Sequence, residues 1–394
     1  MTLVQQIVKA INHLAPWDLA ESWDHVGLQI GSPNRKVERV LLAVDLNREV
    51  LEEGLAQKVD GFIVHHPLLF RPLFQVNPET ASGYYISALL KNELFLIAAH
   101  TNLDKSEHGL NSYLGDLFNV KERTPLEPAT SEECKIIVFT PESHLDKLRE
   151  SMSRAGAGVI GNYSECSFEL RGNGTFRPGD EARPYLGETD RFETVAEVRL
   201  EMIAGCRDLT RVLKAISANH PYEEPAVDVY PLLNSSPHGL GCIGNLEQAK
   251  TFGDLCDSVQ RKLETGGLRV LGDPLKKIKR LAICTGNGGS LLSKAVNQGA
   301  DAYLTGEIGY HDFQTARDSG MAVIEAGHWT TERCCIPLLM GHLGNLFSEV
   351  TFIPAVSTQT EPYNIIIRGL NDGVSSSFVS GPDPGKPVDG LEKG

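Results

Sequence analysis

Gly61-Phe62-Ile63-Val64-His65-His66-Pro67 is the stretch on which the reading of this chain turns. A short apolar run of this kind reads as a strand, too brief for a helix. Pro67 keeps His66 out of helical geometry, so two adjacent imidazoles stand at a strand's carboxyl end, where the turn can splay their rings around a shared point. Two more strands end in the same way. Leu94 to Ala99 runs into His100-Thr101-Asn102-Leu103-Asp104, and a later run, Ala322 to Ala326, into Gly327-His328-Trp329-Thr330-Thr331-Glu332.

Around these ends, strand-like and helical segments alternate. From 38 to 120 they are Val40 to Leu46, Arg48 to Lys58, Gly61 to His65, Ala81 to Leu90, Leu94 to Ala99 and Leu110 to Leu117. The alternation returns from 279 to 356, with strands at Arg280 to Cys284, Ala302 to Thr305, Ala322 to Ala326 and Val350 to Pro354, and helices near 290–298, 311–319 and 330–347. This pattern predicts an α/β fold with a largely parallel sheet flanked by helices and with function at the strands' carboxyl ends.

A different order of elements lies between the halves. Lys135 to Phe139, Leu145 to Ala155, Cys166 to Leu170, Thr194 to Ile203, Leu209 to Ser217 and Ala226 to Tyr230 read as β-α-β-β-α-β, with a Gly/Pro-rich turn region from Gly172 to Gly187. That is the order of a ferredoxin-like α+β unit. The expected organisation is therefore an α/β domain in two segments, 1–129 and 236–370, an inserted domain at 130–235, and a disordered tail at 371–394, where Gly, Ser, Pro and Asp leave little to bury.

Bulk properties narrow the function. At 394 residues, 41% hydrophobic and 22% charged, the chain can bury the cores of two domains. Its formal charge of -14 argues against a large nucleic-acid surface, which needs clustered Lys and Arg. Residues 1–15 space Leu3, Val4, Ile7, Ile11 and Leu14 as an amphipathic helix, not a secretory segment, and no 18-residue apolar span is present. The eight cysteines show no CxxC spacing, which fits reduced, mostly buried thiols in the cytoplasm.

The strand ends supply His65, His66, Asp104, His328 and Glu332, a nitrogen and oxygen set suited to one or two divalent transition ions. His328 and Glu332, four apart at a helix start, share a face. Singly, each residue has a plainer reading: Glu332 complements a helix dipole, and Asp104 caps a helix. Three neutral imidazoles and two carboxylates leave open positions on two ions, which is what activation of water requires. His311, after another strand end, is the candidate general acid or base. His100 is a candidate hydrogen-bond partner for a ligand carboxylate, and Glu307 is a polar contact or a surface residue. Cys284-Thr285-Gly286-Asn287-Gly288-Gly289-Ser290 is either an anion-receiving turn or a tight structural one; it lacks P-loop and dinucleotide spacing. Trp23-Asp24-His25-Val26-Gly27-Leu28-Gln29-Ile30-Gly31 is a candidate crevice wall.

In order along the chain, WD-x-VGLQIG, VHHPLLF, HTNLD, CTGNGG, TGEIGYHD and AGHWTTE resemble the GTP cyclohydrolase 1 type 2 homologue family, also called the Nif-three (NGG-one-interacting factor three) family. The resemblance implies that two divalent ions sit on His65, His66, Asp104, His328 and Glu332, together with a PII-like (CutA-like) insert and a homo-oligomer, by family a hexamer; the donor set itself admits Zn, Fe, Mn, Co or Ni. The open positions of such a site point to a metal-dependent hydrolase acting on a small phosphorylated or nucleotide-like substrate; the alternative is a non-catalytic metal-binding regulator or scaffold whose insert senses a ligand. His25 stands where the family pattern has Asn, and Glu307 where it has Asp.

Overall fold

In the computed structural model, Gly61–Val64 is the central strand of a five-stranded sheet ordered Thr351–Pro354, Arg39–Ala43, Gly61–Val64, Phe95–Ala98, Gly27–Ile30. The first four are parallel neighbours; Gly27–Ile30 joins antiparallel at the edge. A second sheet has six strands, ordered Arg269–Leu271, Ala322–Glu325, Ala302–Glu307, Lys277–Asn287, Cys242–Thr251, Val120–Thr124. Only its three central strands, Ala322–Glu325, Ala302–Glu307 and Lys277–Asn287, run parallel to one another. The structure describes residues 1–129, 133–234, 236–357 and 361, so the expected tail at 371–394 lies outside the described residues.

The expectation of one largely parallel sheet is thus corrected to two mixed sheets. The physical reason lies in Cys242–Thr251 and Val120–Thr124, whose polar composition hides a strand pattern. Cys242–Thr251 pairs antiparallel with Lys277–Asn287, and Val120–Thr124 pairs antiparallel with Cys242–Thr251 as the edge, extending the second sheet beyond its parallel centre. The expected helix at 330–347 is likewise two helices, His328–Glu332 and Cys335–Leu346.

The two sheets share a core, and strand periodicity explains how. Val40 and Leu42, Ile63, and Phe95 and Ile97 point into one apolar cluster together with Leu281, Ile283, Leu304 and Ile324 of the second sheet. Helices Val4–Leu14, Leu110–Leu117, Phe252–Lys262 and Cys335–Leu346 contribute to the same cluster. The alternate residues Leu41, Phe62, Val64 and Leu96 face outward under helices Arg48–Ala56 and Ala81–Lys91, while Ala282 and Tyr303 face helices Leu292–Asn297 and Tyr310–Ser319. The inner parallel strands are therefore buried on both faces, which is why they read as unbroken apolar runs. Asn47 caps Arg48–Ala56 by accepting from Val50 N, worth about 1 kcal/mol.

The chain divides into two units, Met1–Ala129 with Pro237–Gly394, and Thr130–Ser236. The second is an antiparallel sheet ordered Phe168–Phe176, Glu193–Gly205, Glu133–Thr140, Val227–Pro231, with helices Leu145–Arg154 and Leu209–Asn219 between strands in sequence. It has its own core: Ile136, Val138, Leu200 and Met202 pack on Leu148, Met152, Val212 and Ile216. The edge strand reaches Phe176, so the first residues of the expected turn region are strand. All eight cysteines are free, and among the described residues no helix is long and apolar enough to cross a membrane.

Candidate metal centre

The parallel strands of both sheets deliver their carboxyl ends to one crevice. His65 and His66 leave Gly61–Val64 with their amides still on Val44 O, at 3.1 and 2.9 Å, which holds the two residues against the neighbouring strand's end. Asp104 lies in the short helix Thr101–Lys105 after Phe95–Ala98, and His328 and Glu332 bound the helix after Ala322–Glu325. The structure brings all five together. His65 Nε2 is 3.8 Å from Asp104 Oδ1 and 3.8 Å from Glu332 Oε1. Glu332 Oε1 also stands 3.1 Å from His328 Nε2, and Glu332 Oε2 stands 2.9 Å from His66 Nε2.

The other ring nitrogens explain the orientation. His65 Nδ1 contacts Ala99 O at 2.7 Å, His66 Nδ1 contacts Asp45 Oδ1 at 2.8 Å, His100 Nδ1 contacts Asp24 Oδ1 at 3.0 Å, and His328 Nδ1 contacts Glu307 Oε2 at 3.1 Å. A carbonyl or carboxylate oxygen only accepts, so Nδ1 carries the hydrogen in each ring. The neutral imidazole then presents its lone pair at Nε2. His65 Nε2 is buried without a hydrogen-bond partner. Orphaning such an atom costs about 1–3 kcal/mol. At 3.8 Å from both carboxylates it is too far to share a proton with either, whereas a cation between them satisfies its lone pair and their oxygens at once, so these residues fit divalent ions. Two groups have ligand atoms within 4.8 Å of one another: His65, His66 and His100, and His66, His328 and Glu332.

Electrostatics follow from this packing. Burial resists ionisation of Glu332, but His328, His65 and His66 hold its carboxyl well below the usual carboxylate range. Burial raises the Asp104 carboxyl, with His65 opposing and Glu332 adding to the rise. Thr285 Oγ1 donates to Asp104 Oδ1 at 3.2 Å. Gly286 has φ +60°, and a Cβ there would fall 2.2 Å from Glu332 Oε1, so this position needs glycine both for its backbone and for the carboxylate's space.

His311 is exposed at the start of Tyr310–Ser319, with Nδ1 facing Gln314 Oε1 at 3.1 Å. Among the described residues it makes no hydrogen bond, ion pair or ring contact with the histidines and acids above. His100 departs from expectation: its Nδ1 binds Asp24, not Asp104, because the Asp24 carboxylate is drawn in by Thr101 N and Oγ1, at 3.1 and 2.5 Å. The anion-receiving reading of Cys284 to Ser290 is also corrected. The amides of Thr285, Gly286, Gly288 and Gly289 donate to Asn111 Oδ1, Thr331 Oγ1, Glu307 O and Asn287 Oδ1, which makes this a structural turn. Trp23 does stand by the crevice, with its ring 6.2 Å from His100 and 5.6 Å from Phe70.

Sequence reasoning missed Asp45, and it left Asp24 and Glu307 without a defined role. The available signal was that each carboxylate lies at or beside the end of a strand neighbouring a histidine.

The family model Duf34/NIF3 (NGG1p interacting factor 3) matches residues 2–362. The GTP cyclohydrolase 1 type 2 homolog of Halalkalibacterium halodurans is 34% identical over 367 residues, covering 92% of this chain and 98% of its own length. That of Listeria monocytogenes is 37% identical over 339 residues, covering 85% and 90%. A crystal structure of a Bacillus cereus protein related to NIF3 matches with a TM-score of 0.72 at 34% identity, and one of a Staphylococcus aureus protein with 0.77 at 28%; each covers 93% of this chain and 99% of its own. On fold, sequence and extent of match, this chain belongs to the Duf34/NIF3 (NGG1p interacting factor 3) family.

Proposed function

We propose that the crevice holds two divalent ions and that the protein is a metal-dependent hydrolase of a small phosphorylated or nucleotide-like substrate. The observation that carries this is the set of imidazoles bound through Nδ1 with Nε2 turned toward Glu332 and Asp104, the buried His65 Nε2 lacking any hydrogen-bond partner. His65, His66, Asp104, His328 and Glu332 would hold the ions, with Asp104 or Glu332 shared between them; Glu332 faces three of the imidazoles, Oε1 toward His65 and His328 and Oε2 toward His66. Such ions supply Lewis acidity and make water acidic near neutral pH.

The protein's own residues do the remaining work. Asp45, Asp24, Glu307 and Ala99 O fix the rings, and Thr285 orients Asp104. Trp23, 51% exposed, and Phe70, 42% exposed, form an aromatic wall against which a planar base can stack. His311, exposed four residues past Glu307, is the proton carrier. The protein is read as a cytoplasmic homo-oligomer, a hexamer by family resemblance, with a PII-like insert.

The test is turnover of a phosphoester, nucleotide and cyclic-amidine panel by protein of measured metal content. Activity lost to a chelator and regained with one divalent ion is expected. Fully loaded protein that turns over nothing defeats the hydrolase reading. It then favours a second one, a non-catalytic metal-binding regulator or scaffold, for which the insert's separate core and cavity speak. In that case Asp104→Ala would lower thermal stability and oligomer size, and any partner response would be lost with the insert.

A further inference from the structure

We infer that the inserted unit binds a small organic cation, an amine or amidinium carried on an apolar body. A cavity of 680 Å³ opens within this unit, in the size range of small-molecule sites. Phe139, Phe176, Tyr185 and Tyr222 give it aromatic faces. Its charged lining is Glu181, Glu197, Glu223 and Glu224 against one guanidinium, Arg183. Four carboxylates to one cation repel phosphates and carboxylates. Aromatic faces beside carboxylates are the surroundings that attract an ammonium or amidinium through both ring quadrupole and charge.

Glu197 is the built anchor. It lies on Glu193–Gly205, and Tyr222 Oη donates to its Oε1 at 2.7 Å, while Oε2 receives no donor among the described residues. Gly174 on the neighbouring edge strand makes room for it, since a Cβ there would meet Glu197 Oε2 at 2.0 Å. The wall carrying Tyr185 is tied down: Arg183 N donates to Glu223 Oε2 at 3.0 Å, and the Tyr185 ring lies 5.6 Å from His144 and 6.3 Å from Tyr222. The aromatic faces and the carboxylate are therefore held in place before any ligand arrives. The inference does not depend on what the metal centre does.

Calorimetric titration of the full-length, metal-loaded protein tests it. The probes are phenethylammonium and benzamidinium, with phenethyl alcohol and 3-phenylpropionate as neutral and anionic counterparts. Saturable one-to-one binding of at least one cation is expected, weakened at least tenfold by Glu197→Gln and severalfold by Tyr222→Phe, with metal content unchanged. Glu224→Gln, at an exposed position, provides a second variant should Glu197→Gln fail to fold, and it too should weaken binding. Four outcomes overturn the inference: no binding of either cation, equal binding by the variants, preference for the anion, or displacement of the cation by Mg²⁺ or Ca²⁺.

Discussion

Each of the four crevice imidazoles gives its Nδ1 to an oxygen, so protons and metal ions compete for Nε2. His66 is pushed up to about 10: burial opposes its charge, but Asp45 and Glu332 outweigh it. His328 is raised to about 9, chiefly by Glu332 and then against burial, with Glu307 helping. These values lie above an unfolded histidine's value of about 6.5. Their contribution to stability is thus full below that pH and is lost as pH rises through about 9 and then about 10. Metal-free protein in a chelator should show a falling urea midpoint between pH 7 and pH 10. Saturating metal, which holds the rings neutral, should shrink that fall; a flat metal-free profile would contradict this account. Glu332→Gln removes the charge that joins the histidines, and metal affinity measured by competition with a chromophoric chelator should drop at least tenfold. Asp45→Asn, acting through His66, should cost about 10–100-fold. Gly286→Ala brings both a strained φ and a clash with Glu332, so bound metal should be lost and the unfolding free energy should fall by about 1–3 kcal/mol.

At the scale of elements, the crevice exists because consecutive strands of the five-stranded sheet end in step. Gly61–Val64 pairs in register with Phe95–Ala98 and Arg39–Ala43, so His65, His100 and Asp45 emerge on one edge. Phe95, fully buried between the sheets, is part of what holds that register. Phe95→Ala should destabilise by about 3–5 kcal/mol in denaturant unfolding and weaken metal binding with it. The apolar strands and their ends were legible locally, because burial on both faces leaves continuous hydrophobic runs. Cys242–Thr251 was not legible: its sequence, CIGNLEQAKT, lacks such a run, and a register shift between Asn245 and Lys250 breaks its pairing with the neighbouring strand. Its place in a sheet is decided by Lys277–Asn287 and Val120–Thr124 on either side.

At the scale of the molecule, each unit closes its own core, and the candidate ligands all come from the two-sheet unit. Ala129 N donates to His238 O at 2.8 Å, so the chain leaves and re-enters that unit at adjoining residues. Replacing Thr130–Ser236 with a short glycine linker should therefore leave a cooperatively folding protein with unchanged metal stoichiometry by elemental analysis. Loss of the metal on excision would show that the centre depends on the insert.

The sequence by itself determined the chemistry on offer: histidines and acids placed by local punctuation at the ends of apolar strands, and a β-α-β-β-α-β segment between two α/β stretches. Those signals are short-range, set by residue type and spacing. Only the tertiary structure decided that two sheets rather than one carry the ends, and which acid steers which ring. The partners of His66, His100 and His328 lie 21, 76 and 21 residues away in the chain. Strand register and the packing of two sheets on a shared core bring them within hydrogen-bond reach, and no local pattern encodes that distance.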